Sequence, residues 1–464
     1  MKHRPTEHVF QPLPVLQRVV LDGLCTGCGV CTAQRGAADG VQMQWNKEGF
    51  LVPDFSSVQT MPENSLRVCP FNPFPEEVVR TENELAGHFL TDAPRKQPKI
   101  GRYIGSYVGY ARQFRETSSS GGMASYITEQ LLAQGIVDTV FTVKYDGNDQ
   151  HLYQYGLLQR QEEVVQFSKT RYYPVTMAEA MKKLASLPGK VAIVGVPCFI
   201  KAIRLHQFYN PADREKIAFL IGIICGGMKS RFFTEFLGSK AGVEPSQVVK
   251  PEFRVKDPHS DALDYSFTCE DTNNQHYTLK MRSVGDMWGT GLFKNNACDF
   301  CDDVVAELAD ITLGDAWIPP YMKDGKGNNV IITRSELAER LVTSGMENGD
   351  LVVDALSEEQ FIQSQQGGYN HRHRGMRYRI RSKKKEMGYT PPKRFDKQRI
   401  PLAFQWVQKM RMKVRALSLS IWIEERDGRA FDAKLQPYLK RLWYYTRNYH
   451  RVRRVRAMLD KMMK

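Results

Sequence analysis

The chain has 464 residues, of which 42% are hydrophobic, 25% are charged and 11% are aromatic. At roughly 100–200 residues per domain, this length predicts two or three domains, and the apolar share excludes a wholly disordered chain. The longest apolar run, near residues 218–225, is far shorter than the ~18–20 residues that a membrane-spanning helix needs. The N-terminus is too polar and too rich in proline for a secretory signal. We therefore expect a cytoplasmic protein, or one held on the inner face of the membrane.

The net charge of +14 conceals a division between the body and the C-terminal region. Residues 371–464 contain 28 Lys and Arg against 7 Asp and Glu, a balance of +21. Residues 1–370 hold the remaining 37 basic and 44 acidic residues, a balance of −7. This asymmetry argues against a nucleic-acid-binding core and predicts a basic C-terminal region that contacts something anionic.

The strongest motif is a group of cysteines near the N-terminus. Cys25, Cys28 and Cys31 form a Cys-x-x-Cys-x-x-Cys run, and Cys69 follows further along the chain, directly before Pro70. Ferredoxin-type 4Fe–4S clusters take thiolates from such a tight run and from a distant Cys-Pro. Zinc is the alternative, but its structural sites usually show two separated Cys-x-x-Cys pairs. The spacing therefore predicts a 4Fe–4S cluster.

Four further cysteines form a second candidate group. Residues 190–196 and 218–224 are short runs rich in β-branched residues, typical of buried parallel strands, and a cysteine follows each of them. Because the carboxyl ends of strands in an open α/β sheet meet at one crevice, we expect a second 4Fe–4S cluster there. A structural zinc ion and ordinary buried cysteines are the alternatives. The candidate ligands are Cys198, Cys225, Cys298 and Cys301, which leaves Cys269 as a plain thiol.

A turn rich in serine and glycine supplies a candidate cofactor cradle. Residues 107–114 predict a strand, residues 123–134 a helix and residues 136–143 the next strand, with the turn at residues 118–122. Free N–H groups and hydroxyls at the start of a helix suit an anion such as a pyrophosphate. A cluster of N-capping serines would look the same. The sequence contains neither a Gly-x-Gly-x-x-Gly fingerprint after a strand nor a P-loop.

The motifs between residues 20 and 365 are, in chain order, Cys-x-x-Cys-x-x-Cys, Cys-Pro, Ser-Gly-Gly-Met, Val-Pro-Cys, Ile-Cys-Gly-Gly, Phe-Arg-Val-Lys, Cys-Asp-Phe-Cys and Asp-Ile-Thr-Leu-Gly-Asp-Ala-Trp. In this order they resemble the motifs of the coenzyme F-420 hydrogenase/dehydrogenase beta-subunit family. Its relatives include 7-hydroxymethyl chlorophyll a reductase and ferredoxin-dependent divinyl chlorophyllide reductase. The resemblance implies an oxidoreductase that uses FAD and 4Fe–4S clusters, in which the clusters connect a one-electron carrier, ferredoxin, to FAD. The flavin would then exchange hydride with an organic small molecule.

The resemblance also implies roles for single residues. The two cysteine groups would hold two clusters, and Lys169 would make a polar contact to flavin or substrate. This chain departs from the family at Gly226, where members usually carry His in Cys-His-Gly, and after Lys169, where they carry Ser-Lys-Tyr. Candidate proton donors are Lys169, Tyr172, Tyr173 and His206. The implied flavin-loop residues are Ser119, Ser120, Gly121, Gly122 and Met123, and the pattern also includes Arg254, Lys256, Asp315 and Trp317, for which purely structural roles are the alternative.

The C-terminal region follows a helix breaker at residues 388–392. Apolar residues recur at alternating spacings of four and three in residues 401–423, which predicts an amphipathic helix, and residues 432–448 predict a second one that continues into a basic end. Three interpretations stay open. The helices could pack on the body, lie with Trp406 and Trp422 in an anionic membrane interface, or dock an acidic carrier such as ferredoxin.

We therefore expect an α/β fold with an N-terminal ferredoxin-like segment, a mixed-sheet flavin body in two parts and a basic helical tail. The predicted function is an iron–sulfur flavoprotein oxidoreductase that passes electrons from ferredoxin to an organic substrate. One alternative is a coenzyme F-420-linked dehydrogenase or hydrogenase beta subunit. Another is a non-catalytic electron-transfer subunit of a larger complex, with a link to cell-surface polysaccharide synthesis. The predicted domains are residues 1–85, 100–185, 186–370 and 393–464.

Overall fold

The computed structural model describes residues 11–37, 40–148, 151–387 and 390–462. The first ten residues, considered above as a signal, and the first two residues of the helix breaker lie outside the described ranges. The helices are α1 (Pro12–Leu21), α2 (Glu63–Arg67), α3 (Glu82–Phe89), α4 (Met123–Ala133), α5 (Ala178–Lys183), α6 (Pro197–Tyr209), α7 (Phe232–Ala241), α8 (Glu336–Glu347), α9 (Glu358–Ser364), α10 (Gln366–Tyr369), α11 (Met376–Met387), α12 (Leu402–Glu425) and α13 (Gly428–Met462). The strands are β1 (Met43–Trp45), β2 (Leu51–Pro53), β3 (Arg95–Gln97), β4 (Gly101–Tyr103), β5 (Gly105–Ala111), β6 (Thr139–Tyr145), β7 (Tyr153–Leu158), β8 (Val191–Gly195), β9 (Ile217–Ile223), β10 (Val249–Val255), β11 (Ser266–Glu270), β12 (His276–Lys280), β13 (Ile311–Asp315), β14 (Asn329–Thr333) and β15 (Leu351–Ala355).

The body is built on a mixed eight-stranded sheet in the order β15-β5-β14-β13-β9-β8-β6-β7. Its central strands β6, β8, β9 and β13 are parallel, and β8 pairs with β9 so that Gly195 lies opposite Gly222. The two β-branched runs predicted as buried parallel strands correspond to β8 and β9. Because both strands end at the same edge, Cys198 and Cys225 follow them onto one side of the sheet. The expected mixed α/β class is confirmed.

The serine- and glycine-rich turn joins β5 to α4. The predicted helix matches α4 closely, whereas the strand predicted to reach residue 114 ends at Ala111. Gly122 caps α4 with a left-handed backbone, φ 82°, and a Cβ atom there would lie 2.8 Å from the backbone of Phe114. Only glycine tolerates both conditions without strain, so this residue is required by the turn itself.

The N-terminal part of the chain packs against α6 through a buried ion pair. Lys201 on α6 lies 3.0 Å from Glu82 at the start of α3, and both side chains are almost wholly shielded from water. Arg394, far along the chain, contacts Glu82 as well and forms a pair with Glu307 at 2.6 Å. An isolated buried charge is costly, so these partners fix the N-terminal segment on the body.

The first C-terminal helix is part of the core. The indole of Trp422 on α12 is fully buried, contacts Phe236 and Phe431, and donates a hydrogen bond to Glu235 at 2.9 Å. Of the three interpretations of the tail, packing on the body is therefore confirmed for α12. The placement of Trp422 in a membrane interface is wrong, because its face of the helix is covered by α7 and α13. Trp406, by contrast, is 48% exposed and stacks on Tyr445.

Part of the positive charge of the C-terminal region is buried inside the protein. Arg372, Arg379, Arg394 and Arg415 are all buried. Arg415, for example, donates to the buried carboxylate of Asp299 at 2.9 Å. A sequence count treats such arginines as surface charge, although here they neutralise or hydrogen-bond buried groups of the body. Within the described ranges, none of the helices has the length and apolarity needed to cross a bilayer.

Trp422 and Trp406 differ in burial and should therefore differ in their contribution to stability. Trp422→Ala removes a fully buried indole and should lower the free energy of unfolding by about 3–5 kcal/mol. Trp406→Ala is the matched control and should cost much less, because half of that side chain already contacts water. Urea unfolding followed by circular dichroism measures both. Equal losses would contradict the packing of α12 on the body.

Candidate functional site

The first cysteine group consists of Cys25, Cys28, Cys31 and Cys69, and all four line one small cavity next to α1. Gly27 and Gly29 have left-handed backbones, φ 75° and 77°, and a Cβ atom on Gly27 would lie 2.7 Å from the carbonyl oxygen of Leu51. The loop is therefore wrapped tightly around the cavity. The backbone N–H of Gly27 approaches the sulfur of Cys25 at 3.4 Å. Burial raises the pKa of the Cys25 thiol to about 12, so a thiolate there needs a positive partner.

The second cysteine group consists of Cys198, Cys225, Cys298 and Cys301, and these line another small cavity. Backbone N–H groups reach two of the sulfurs: Gly227 donates to Cys225 at 3.3 Å and Met228 donates to Cys298 at 3.2 Å. The structure thus gathers the four cysteines that the sequence grouped. Cys269, predicted as a plain thiol, lies apart from them on β11 in a different part of the core.

Arg372 is a member of the second site that the sequence did not reveal. Its guanidinium lines the same cavity, approaches the sulfur of Cys301 at 3.5 Å and donates to the carbonyl oxygens of Cys225 and Asp303. Burial raises the pKa of the Cys301 thiol to about 12, while the nearby Arg372 opposes that rise. A buried cation therefore favours negative charge on this group of sulfurs.

The two cysteine groups are neighbours. Thr26 and Phe71 line both small cavities, so these side chains stand between the groups. The side chain of Asn295 in the second region donates to the carbonyl oxygen of Cys25 at 3.1 Å. No three His, Cys, Asp or Glu side chains in the described ranges converge tightly enough for one metal ion. Each cysteine group surrounds a cavity instead of a single point.

A much larger cavity, of about 310 Å³, opens at the carboxyl edge of the central strands. Its wall includes the ends of β8, β9 and β13, the start of α4 and the segment from residue 167 to residue 175. This is the crevice that parallel strand order predicts for a ligand. Cys225 and Met228 line both this large cavity and the cavity of the second cysteine group. The three cavities therefore follow one another through the molecule.

The serine- and glycine-rich turn forms one end of the large cavity. Ser119, Ser120, Gly122 and Met123 line it, whereas Gly121 does not: a Cβ atom there would meet Asn329 instead, at 2.8 Å. The side chain of Asn329 also accepts the N–H of Met123 at 3.2 Å, so this helix N–H is already used. Lys256 holds the turn from behind by donating to the carbonyl oxygen of Ser120 at 3.1 Å.

Several polar atoms of the large cavity have no partner among the described residues. The hydroxyl of Ser118, and the Nε atoms of Arg171 and Arg254, are buried and make no hydrogen bond there. All three residues line the cavity. Buried polar groups are nearly always hydrogen-bonded. These atoms therefore fit a ligand that brings acceptors into the cavity.

Lysine and arginine side chains give the large cavity a positive wall. Lys169 lies 3.7 Å from Glu252, and Arg254 is paired with Asp315. Lys229 is buried, donates to the carbonyl oxygens of Met287 and Leu292 at 2.7 and 2.6 Å, and has its pKa lowered by burial to about 7. Of the remaining proton-donor candidates predicted from the sequence, two line the cavity and one does not. Tyr172 and Tyr173 line the cavity, whereas His206 is bound to Asp213 and Gln34 away from it.

An aromatic ring stands beside the glycine at which this chain departs from the family pattern. A Cβ atom on Gly226 would lie 3.1 Å from the ring of Trp288, and that ring meets Tyr172 edge-on with the centroids 4.7 Å apart. Both rings line the large cavity. The sequence contains no signal for Trp288, because its position depends on the fold of residues 285–292 against the end of β9. The wall here is aromatic where a histidine would be polar.

Known proteins resemble the central part of this chain. Models of the family described as "Coenzyme F420 hydrogenase/dehydrogenase, beta subunit" match it twice. The N-terminal family model matches residues 106–182, and the C-terminal family model matches residues 189–359. Coenzyme F420 hydrogenase subunit beta of Methanothermobacter thermautotrophicus is 24% identical over 53% of this chain and 82% of its own length.

Two further relatives are longer than the part that aligns. One F(420)H(2) dehydrogenase subunit of Methanosarcina mazei is 23% identical over 54% of this chain and 66% of its own length. Coenzyme F420-dependent sulfite reductase of Methanocaldococcus jannaschii is 23% identical over 70% of this chain, which covers 46% of that protein. All three names are those of redox proteins. The resemblance noted in the sequence is confirmed, and the chain belongs to the coenzyme F420 hydrogenase/dehydrogenase beta-subunit family.

Proposed function

We propose that this chain is a redox subunit that transfers electrons between two 4Fe–4S clusters and FAD, and through FAD to coenzyme F420 or a similar organic partner. The observation that carries the proposal is the row of three cavities. The first cysteine group adjoins the second across Thr26 and Phe71, and the second adjoins the large cavity through Cys225 and Met228. Clusters pass single electrons, whereas a flavin exchanges one or two, so this order suits conversion between electrons and hydride.

The four thiols around each small cavity support the assignment of clusters. Four cysteine thiolates are the ligand set of a 4Fe–4S cluster. Backbone N–H groups directed at sulfur, from Gly27, Gly227 and Met228, are donors of the kind that stabilises sulfur-bound negative charge. The buried thiols would lose their protons only beside a strong positive charge, which the iron atoms of a cluster supply.

The large cavity supports a flavin. Its wall joins apolar and aromatic side chains for a flat ring system to a positive end for phosphates. Ser118, Arg171 and Arg254 each offer an unused donor. Ser119, Ser120, Gly122 and Met123 form the turn that would face the ligand, and Gly121 shapes the turn from behind. We assign Lys169 the role of a polar contact to flavin or substrate, because its amine lies on the cavity wall with a single weak partner, Glu252.

The relatives suggest a more specific organic partner than the sequence alone does. The sequence alone favoured ferredoxin as donor and an unnamed organic substrate. The names of the relatives favour the alternative, a coenzyme F420-linked beta subunit that works within a larger assembly. We keep ferredoxin as the proposed one-electron partner. The ring of Trp288 beside Gly226 would shape the site of the organic partner in the large cavity.

Direct turnover tests the proposed function. The protein should be purified without oxygen, reconstituted with iron, sulfide and FAD, and mixed with reduced coenzyme F420 and a viologen dye. We expect about eight irons and one FAD per chain, and steady-state dye reduction that depends on reduced F420. Turnover with reduced ferredoxin and no response to F420 would favour the interpretation drawn from the sequence alone, and turnover with neither would identify a relay that needs other subunits.

Cysteine substitutions test the two groups separately. Cys28→Ser should remove about four irons per chain and leave FAD bound, because only the first group is broken. Cys198→Ala and Cys301→Ala should each remove the other four and resemble one another. Cys269→Ser is the matched control, a buried cysteine outside both groups, and should keep the full iron content. An unchanged iron count in the Cys28 variant would contradict the first cluster.

Arg372 should set the potential of the second cluster. Arg372→Met removes a buried cation and its N–H contact to Cys301, which stabilise the more negative, reduced cluster. The midpoint potential should therefore fall, on the order of 60 mV if one charge-assisted hydrogen bond is lost. Redox titration followed by electron paramagnetic resonance measures the change. Arg374→Met is the control, because Arg374 lies over the ring of Phe404 instead. If the midpoint potential of the second cluster is the same in both variants, Arg372 does not have this role.

A further inference from the structure

The second C-terminal helix extends past the helix that covers it. Phe431, Leu435, Leu442 and Tyr449 on α13 are buried. The ring of Tyr449 meets Phe404, close to the start of α12, with the centroids 4.7 Å apart. Beyond this point α13 continues to Met462. Its last turns therefore lie outside the two-helix contact.

The outer face of α13 carries both apolar and basic side chains from Tyr444 to Met462. Tyr444, Val455, Met458 and Met462 are exposed, Met458 by 63% and Met462 by 83%. At 3.6 residues per turn these four lie within about 60° of one another, on the side roughly opposite the buried face, and the exposed side chain of Arg451 lies within the same arc. Trp443, Val452 and Leu459 add further exposed apolar surface along the same stretch. Exposed apolar side chains grouped in this way are typical of a binding surface.

Basic residues far outnumber acidic residues in the same segment. Residues 440–464 contain nine Lys and Arg and a single acidic residue, Asp460. The side chains of Arg451, Arg453 and Arg454 are exposed. A second copy of this chain would place the same positive charges opposite one another, which disfavours self-association through this face. The occupant must therefore be anionic and able to accept apolar side chains.

We propose that the outer face of α13, from Trp443 to Met462, binds the surface of a membrane that contains anionic lipids. Helices that combine exposed apolar side chains, tryptophan among them, with lysine and arginine lie in the headgroup region of such membranes. The valine and methionine side chains would enter the acyl boundary, and the arginines would extend to the lipid phosphates. Trp406, exposed on α12 and stacked on Tyr445, lies on the same pair of helices. This inference goes beyond the proposed redox function and does not depend on it.

The surface differs from the one that the sequence suggested. In one of the three interpretations of the sequence, membrane contact involved the whole basic region, including the apolar face of residues 401–423. That face is buried against the body in α12, and its arginines are partly consumed by buried carboxylates. The inference is therefore confined to the end of α13, where exposure and charge occur together.

Vesicle binding by the full chain tests the proposal. The wild-type protein should co-sediment with vesicles of phosphatidylcholine containing about 30% phosphatidylglycerol, which gives them a negative surface potential, and poorly with pure phosphatidylcholine. Arg451→Glu combined with Arg454→Glu should weaken binding on the order of thirtyfold or more, since each arginine near an anionic surface contributes substantially. Val455→Glu combined with Met458→Glu should weaken it at least about tenfold, because two apolar side chains are lost and two negative charges face an anionic surface. Both pairs are exposed, so circular dichroism should be unchanged.

Val165→Glu is the matched control, since Val165 is an exposed apolar residue on the body, and it should bind as the wild type does. Equal binding to neutral and anionic vesicles, or equal binding by all variants, would overturn the proposal. So would a dimer in sedimentation velocity that the Val455 and Met458 double variant disrupts, because a second copy would then cover the face. Binding to an acidic ferredoxin through these residues, without binding to vesicles, would overturn it as well.

Discussion

Buried ion pairs around the loop of Cys298 and Cys301 hold the parts of this molecule together. Asp299 accepts contacts from Lys294 at 2.8 Å and Arg415 at 2.9 Å, which come from different parts of the chain. The carboxylates of this loop also draw in Arg394, which joins them to Glu82. Removing one member of such a buried pair typically costs about 3–5 kcal/mol, because the other charge is left without a partner. The position of the second cysteine group depends on these contacts.

Much of the site could be read from the sequence because its signals are local. The Cys-x-x-Cys-x-x-Cys run, the β-branched strands that end in cysteines and the turn before α4 each occupy one short stretch. The convergence of the cysteines that follow these strands is then expected, since parallel strands bring their carboxyl ends to one edge. The helical periods of the tail were equally visible, and α12 and α13 lie where those periods predict.

The remaining features depend on residues that are far apart in the chain. Nothing near Arg372 in the sequence indicates that it meets Cys301, and nothing near Lys229 indicates that two carbonyl oxygens hold its amine. The charge count misled for the same reason. It cannot distinguish a solvated arginine such as Arg451 from a buried one such as Arg415. Ion pairing inside the core depends on the tertiary structure. Because of it, α12, which the charge count placed in a surface appendix, is part of the packed body.

The ion pair between Asp299 and Arg415 joins residues that are 116 positions apart. During synthesis the chain emerges from its N-terminus, so Asp299 leaves the ribosome long before Arg415 does. The four residues of the first cysteine group lie within the first 69 positions, whereas Asp299, in the loop of Cys298 and Cys301, has one cation partner nearby in the chain, Lys294, and another on α12, Arg415. The contacts around the two cysteine groups are therefore completed at different stages of synthesis, and those around the second group require α12.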